Sequence, residues 1–112
     1  MDNILIIASP ATPEQIAVML SVHRFYIKLA IDINRGILAG GGELHADCEV
    51  VLLEAGSQQA NVWGASWNPS TREVFYESLI NIRPRQNRSM EILDPDIRLQ
   101  VIQIIDHLLG AV

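Results

Sequence analysis

The sequence predicts an α+β domain, a curved antiparallel sheet of five or six strands with two helices packed on one face. Three observations carry that expectation. Two segments bear complete helix-start signatures; several short runs alternate apolar and polar residues and are separated by turn residues at hairpin spacing; and 112 residues suffice for one core but not two, so the whole chain, 1–112, is read as a single domain.

Asn3 to Ala8 is a short Ile-rich run of the kind that forms a buried strand, and Ser9-Pro10 breaks it. In Thr12-Pro13-Glu14-Gln15 a hydroxyl cap, a proline at the first helical position and a Gln three residues after the cap form a capping box, opening a helix to about His23. Phe25 to Ile33 alternates as a strand does. Asn34-Arg35-Gly36 supplies turn chemistry, so Ile37 onward pairs back antiparallel. The glycines at 40 to 42 mark a bulge or sharp bend, and the Lys-Ser/Thr ending of a phosphate-binding P-loop is absent.

Residues 43 to 54 support two periodicities. At period two, Leu44, Ala46, Cys48, Val50 and Leu52 share one face while Glu43, His45, Asp47 and Glu49 share the other. At 100° per residue the apolar set splits into two sectors with charges between them. The strand fits better; the competing helix would end at Gly56, a suitable cap residue. Asn61 to Trp67 then alternates with Trp63, Ala65 and Trp67 on one side, Asn68 to Thr71 is turn material, and Val74 to Ile82 reads as a further strand. Together these runs suggest an antiparallel meander. After the polar loop 83–91, Asp94-Pro95-Asp96 starts the last helix, with Ile97, Val101, Ile104, Ile105 and Leu108 as its buried stripe and Gly110 as its end.

Composition bounds the function. A formal charge of -5 argues against a partner bound through bulk phosphate neutralisation, so nucleic acid is not the expected ligand, although Trp63 and Trp67 with the arginines keep single-strand binding as a third reading. Hydrophobic residues make up 49% of the chain, which is apolar for so small a domain and points to a surface covered by self-association, most simply a homodimer. Cys48 is alone, which excludes an intrachain disulfide, fits a reducing cytoplasm and makes it a core filler. MDNILIIASP lacks the basic start of a signal peptide, and no apolar run approaches the roughly 18 residues of a membrane span, so no membrane partner is expected.

Extended, the row His45, Asp47 and Glu49 would stand about 6.6–7 Å apart on one sheet face. Carboxylates and an imidazole so placed suit a divalent metal ion or acid–base catalysis. Arg83, Arg85, Asn87, Arg88 and Ser89 offer charged and neutral donors for a small anion. If the two segments lie side by side they form a mixed polar cleft. The plainer alternatives are a solvated strand face with cross-strand salt bridges and a charged loop capping the sheet. His23 and His107 end their helices and read as structural, while Glu77 and Asn81 share a face with Phe75 and Leu79. The leading functional reading is a cytoplasmic, homo-oligomeric binding or interaction module. The rival is a metal-assisted hydrolase acting on a phosphate-bearing small molecule or nucleotide, with His45, Asp47 and Glu49 holding the ion or acting as acid and base.

The segments GGELHADCEVVLLEAGSQQANVWG, VFYESLINIRPRQNRSMEI and DPDIRLQVIQII resemble those of a family of small single-domain bacterial and cyanobacterial proteins defined only as a domain of unknown function. The resemblance runs from about Lys28 to the end of the last helix. It implies a compact soluble protein and supplies no activity or catalytic role.

Overall fold

The computed structural model of the protein describes residues 4–110. Its elements in chain order are β1 (Leu5–Ile7), α1 (Pro13–Leu20), β2 (Ile27–Asp32), β3 (Ile37–Gly40), α2 (His45–Glu54), β4 (Val62–Trp67), β5 (Val74–Phe75) and α3 (Pro95–Leu109), with single 3-10 turns at Gln59–Asn61 and Leu79–Asn81. The expected strand start at Asn3 lies outside the described residues. Among those described, no helix is long and apolar enough to cross a membrane.

The sheet is open, five-stranded and antiparallel, in the order β1-β3-β2-β4-β5. It is not a simple meander, because only β2–β3 and β4–β5 are hairpins between sheet neighbours. The chain instead makes two interlocked crossovers. β1 reaches β2 through α1 with β3 left between them, and β3 reaches β4 through α2 with β2 left between them. Both crossovers shift the chain two places in the same direction, but their strands run oppositely. Right-handed connections therefore require α1 and α2 on opposite faces of the sheet.

The two cores agree with that requirement. Ile16 and Met19 of α1 and Ile97, Val101, Ile105 and Leu108 of α3 pack with Ile27, Leu29, Ile31, Leu38, Trp63, Ala65 and Trp67. The expected pair of helices on one face is thus α1 and α3. Across the sheet, Cys48 and Leu52 of α2 pack with Ala30, Ala39, Ile37 and Val62. The register explains the division, since Ile27, Leu29 and Ile31 oppose Trp67, Ala65 and Trp63, while Ala30 opposes Gly64. One face carries large side chains and the other small ones.

Local chemistry sets the helix ends. In α1 the Thr12 hydroxyl accepts from the Gln15 amide at 3.2 Å and the Gln15 side chain accepts from the Thr12 amide at 3.0 Å. That helix stops at Leu20, three residues short of expectation, and Arg24 turns the chain with a φ of 69°. Asp94 caps α3 through the Asp96 amide at 2.8 Å.

Two strand expectations fail. Residues 45–54 are helical. The strand reading buried Leu44, Ala46, Cys48, Val50 and Leu52 together, yet only Cys48 and Leu52, one helical turn apart, are buried, while Leu44, Ala46 and Val50 are exposed. The helix lies on the small-residue face and needs few large side chains. Gly41, with a φ of 102°, bends the chain off β3, and past the helix Gly56, with a φ of 101°, lets its own amide and that of Ser57 bond back to Leu53 and Leu52. The second failure is Val74 to Ile82, which is extended only at Val74–Phe75. Beyond that, Ser78 accepts from the Ile80 amide and closes a 3-10 turn, and the chain doubles back so that Ser78 pairs with Met90 and Tyr76 with Ile92.

Gly64 sits beneath that turn. A Cβ there would lie 2.5 Å from the Ser78 Cβ and 2.6 Å from its hydroxyl. Gly64→Ala is therefore expected to destabilise the fold by about 1–3 kcal/mol through overpacking, measured by urea denaturation. A loss below about 0.5 kcal/mol would show that the 78–81 turn moves away freely.

Candidate functional site

α2 begins over the start of β2, and that crossing builds a cleft. Leu44 occupies the cap position without a side-chain acceptor; the Asp47 carboxylate supplies one instead, accepting from the Leu44 amide at 3.3 Å. His45, the first helical residue, tucks inward. Its Nε2 lies 3.1 Å from the Ala65 carbonyl and 3.1 Å from the Ser66 hydroxyl. A carbonyl only accepts, so Nε2 carries the proton and donates to it. Burial, with the Lys28 ammonium adding to it, pushes the His45 pKa down to about 4, and the ring is neutral above that pH.

The cleft holds about 280 Å³ and is lined by Lys28, Leu44, His45, Ala46, Glu77, Ser78, Leu79, Ile80 and Met90. Lys28 is half-buried, and its ammonium has no hydrogen bond or ion pair with any described residue. Glu77, also in the lining, makes no ion pair with it. Leu44, Leu79 and Met90 are exposed around the mouth.

The predicted row does not assemble. Helical spacing sets His45 and Glu49 one turn apart on one side and Asp47 on the other. Asp47 serves its own helix end. Glu49 is set beside Arg83 and Gln59, and one of its carboxylate oxygens is buried without a hydrogen-bond partner; burial raises its pKa, while Arg83 and a hydrogen bond from Gln59 act against the rise. Among the described residues no three His, Cys, Asp or Glu side chains converge as ligands for a metal ion. Cys48 is buried, and desolvation pushes its thiol up to about 11, so it is chemically quiet.

The expected anion-binding loop is largely occupied with itself. Arg83 donates to the carbonyls of Ala60, Gln59 and Val62, and its guanidinium lies 3.7 Å from the centre of the Trp63 ring. Arg88 donates to the Pro84 carbonyl at 2.7 Å, and Ser89 accepts from the Glu91 amide. The buried Asn87 amide donates to the carbonyls of Asn81, Ser89 and Glu91 and accepts from Leu93. Only Arg85 is exposed and without a described partner. Of the predicted residues, then, the structure brings Glu49 and Arg83 near each other and gives His45 a different set of neighbours. Lys28, Ser66 and Ser78 were missed. No local signal marks Lys28, because its importance comes from α2 passing above it.

His45 and Ser66 do not form a nucleophile–base pair. Ser66 is buried and receives the His45 N–H, so the imidazole presents it a donor, where a nucleophile would need the lone pair of a base.

A family model described as a protein of unknown function (DUF5674) matches residues 5–108, and the chain belongs to that family. The match takes in β1 and α1 as well as the segments from Lys28 onward. No curated protein and no solved structure matches the chain.

The state of His45 has a thermodynamic signature. Its folded pKa of about 4 lies below the ordinary 6.5, so between those values the unfolded chain binds the extra proton. Its contribution to stability is complete above pH 6.5 and is lost as pH falls toward 4. After discounting for the ring's partial exposure, the loss is on the order of 1–2 kcal/mol. Glu49, with its raised pKa, works in the opposite sense near its ordinary 4.5, so the clean measure is a difference between variants. His45→Gln, which keeps a donor for Ala65, is expected to flatten the fall in urea-denaturation stability between pH 7.5 and 5 relative to the parent. Identical slopes would mean that the imidazole is not held neutral.

Proposed function

We propose that the protein is a non-catalytic binding module of the cytoplasm that self-associates as a homodimer and takes a small ligand in the cleft between the start of α2 and the 77–80 segment. The observation that carries this reading is Lys28, a half-buried cation with no described partner on the wall of a mainly apolar cleft. A cation without a charged partner, set among apolar lining residues, suits a ligand that completes the electrostatics. The neutral His45, with Nε2 committed to Ala65, adds a fixed polar wall and no proton-transfer partner for Ser66. In this reading the polar part of the cleft is made by His45, Lys28 and Glu77, and the arginine loop is not part of it.

Self-association is supported by the rim. Leu79 is 71% exposed, Leu44 58% and Met90 43%, all lining one opening, and a second copy covering them would remove apolar surface from water. The metal-assisted hydrolase draws no support from the arrangement, since Asp47 turns away from His45 and is engaged at the Leu44 amide.

Amide NMR spectra recorded against a library of small fragments are expected to show shifts clustered at 44–46, 77–80 and 90. Ala46→Trp, at an exposed position on the cleft wall, should abolish them. Shifts scattered elsewhere, or unchanged by that substitution, would remove the cleft as the binding site. Light scattering is expected to give twice the chain mass, and a monomer across a broad concentration range would end the homodimer reading.

A further inference from the structure

Resting on the binding reading above, we infer that the cleft takes a short amphiphile with an anionic head, a carboxylate or a phosphate monoester, set against the Lys28 ammonium, and an apolar body along Leu44, Ala46, Leu79, Ile80 and Met90. The charge follows from complementarity. The chain carries 13 acidic and 8 basic residues, so an excess of acids was available to neutralise Lys28. None does so within the described structure, and Glu77 lines the same cleft without closing on it. His45 adds no second positive charge, because its ring is neutral and its Nε2 proton is given to Ala65 and Ser66. An anionic head gives this ammonium the charged partner that no described residue supplies, and charge-assisted contacts are among the stronger polar contacts a small site offers.

The apolar body follows from the walls. Apart from Lys28, His45, Glu77 and Ser78, every lining residue is Leu, Ile, Met or Ala. At about 280 Å³, and roughly 30 Å³ for each small group enclosed, the cleft holds about nine heavy atoms, close to an eight-carbon carboxylate with its head included. A long acyl chain would run out into solvent past Leu79. Glu77 tunes the site by opposing any anion beside Lys28.

The test is a calorimetric and NMR titration of the full chain with octanoate, octyl phosphate, octanol and octylammonium. One or both anions are expected to bind about ten-fold more tightly than octanol, with octylammonium weakest, and the ratio between octanoate and octyl phosphate separates the two head groups. Lys28→Met, which keeps the aliphatic stem, should bring the preferred anion down to the level of octanol. Lys28→Arg should restore the preference, and Glu77→Gln should tighten anion binding about two- to three-fold. Circular dichroism and melting curves confirm that each variant is folded. Octanol binding as tightly as the anions, a preference unchanged in Lys28→Met, or no anion binding at millimolar concentration would each overturn the assignment. If other fragments still shift the cleft amides and Ala46→Trp still abolishes those shifts, the binding reading stands and only the ligand class falls. If neither amphiphiles nor fragments reach the cleft, both fall.

Discussion

The edge of β4 is the constraint on which the rest of the structure depends. β5 pairs with β4 only at Ser66 and Trp67, which leaves the backbone of Val62 and Gly64 facing outward with no neighbouring strand. Those groups lie in a fully buried strand, where an unpaired amide or carbonyl would cost on the order of 1–3 kcal/mol. Two side chains take the place of the missing strand. Asn81 donates to the Gly64 carbonyl at 2.9 Å and accepts from its amide at 2.7 Å, while Arg83 donates to the Val62 carbonyl. The same Asn81 amide reaches the carbonyls of Tyr76 and Met90, and so ties both arms of the irregular segment to the sheet. The cleft wall formed by Glu77, Ser78, Leu79 and Ile80 is held in place by that one side chain. Gly64 has to lack a side chain for Ser78 to come this close.

The interlocked crossovers explain why the cleft faces where it does. Because β3 and β4 flank β2, the helix joining them has to pass over β2, and the residue that β2 presents near its start on that face is Lys28. The helix runs over Ala30 and Ala39, so it approaches the sheet closely. The first turn of α2 therefore lands beside Ala65 and Ser66, bringing His45 within hydrogen-bonding distance of both. Position in the sheet, and not any local motif, thus makes neighbours of a lysine and a histidine separated by 17 places in the chain.

Legibility in the sequence tracks how local the determining contacts are. α1 and α3 could be read because Thr12, Pro13 and Gln15, and Asp94 and Pro95, act within one turn of themselves. The β2–β3 turn could be read because Gly36 takes a φ of 68° inside a short loop. The face carrying Trp63, Ala65 and Trp67 followed from simple alternation. α2 could not be read, since amphipathicity signals a helix only when its partner surface is large and apolar. Against Ala30 and Ala39, burying Cys48 and Leu52 suffices. The Val74 to Ile82 alternation misled for the complementary reason: it sets Ser78 and Asn81 on opposite faces of a strand, but both are buried, Ser78 closing a local turn and Asn81 satisfying a backbone group distant in sequence. The arginine loop offered the right donors, and Asn87 and Arg83 do use them, on the protein's own carbonyls.

Neutral His45 and charged Lys28 are best understood together. An imidazolium beside that ammonium would place two positive charges in a partly dehydrated cleft, and burial together with Lys28 removes the ring's proton instead. The Ala65 carbonyl then fixes which nitrogen keeps a hydrogen, so the ring neither titrates across the neutral range nor rotates freely. What remains in the lining is the Lys28 ammonium and the Glu77 carboxylate, which make no ion pair with each other, beside an imidazole whose Nε2 hydrogen is already committed. An imidazole so committed offers Ser66 a donor and no lone pair, so His45 and Ser66 do not form a nucleophile–base pair, and the state of His45 follows from its burial and its charged neighbour.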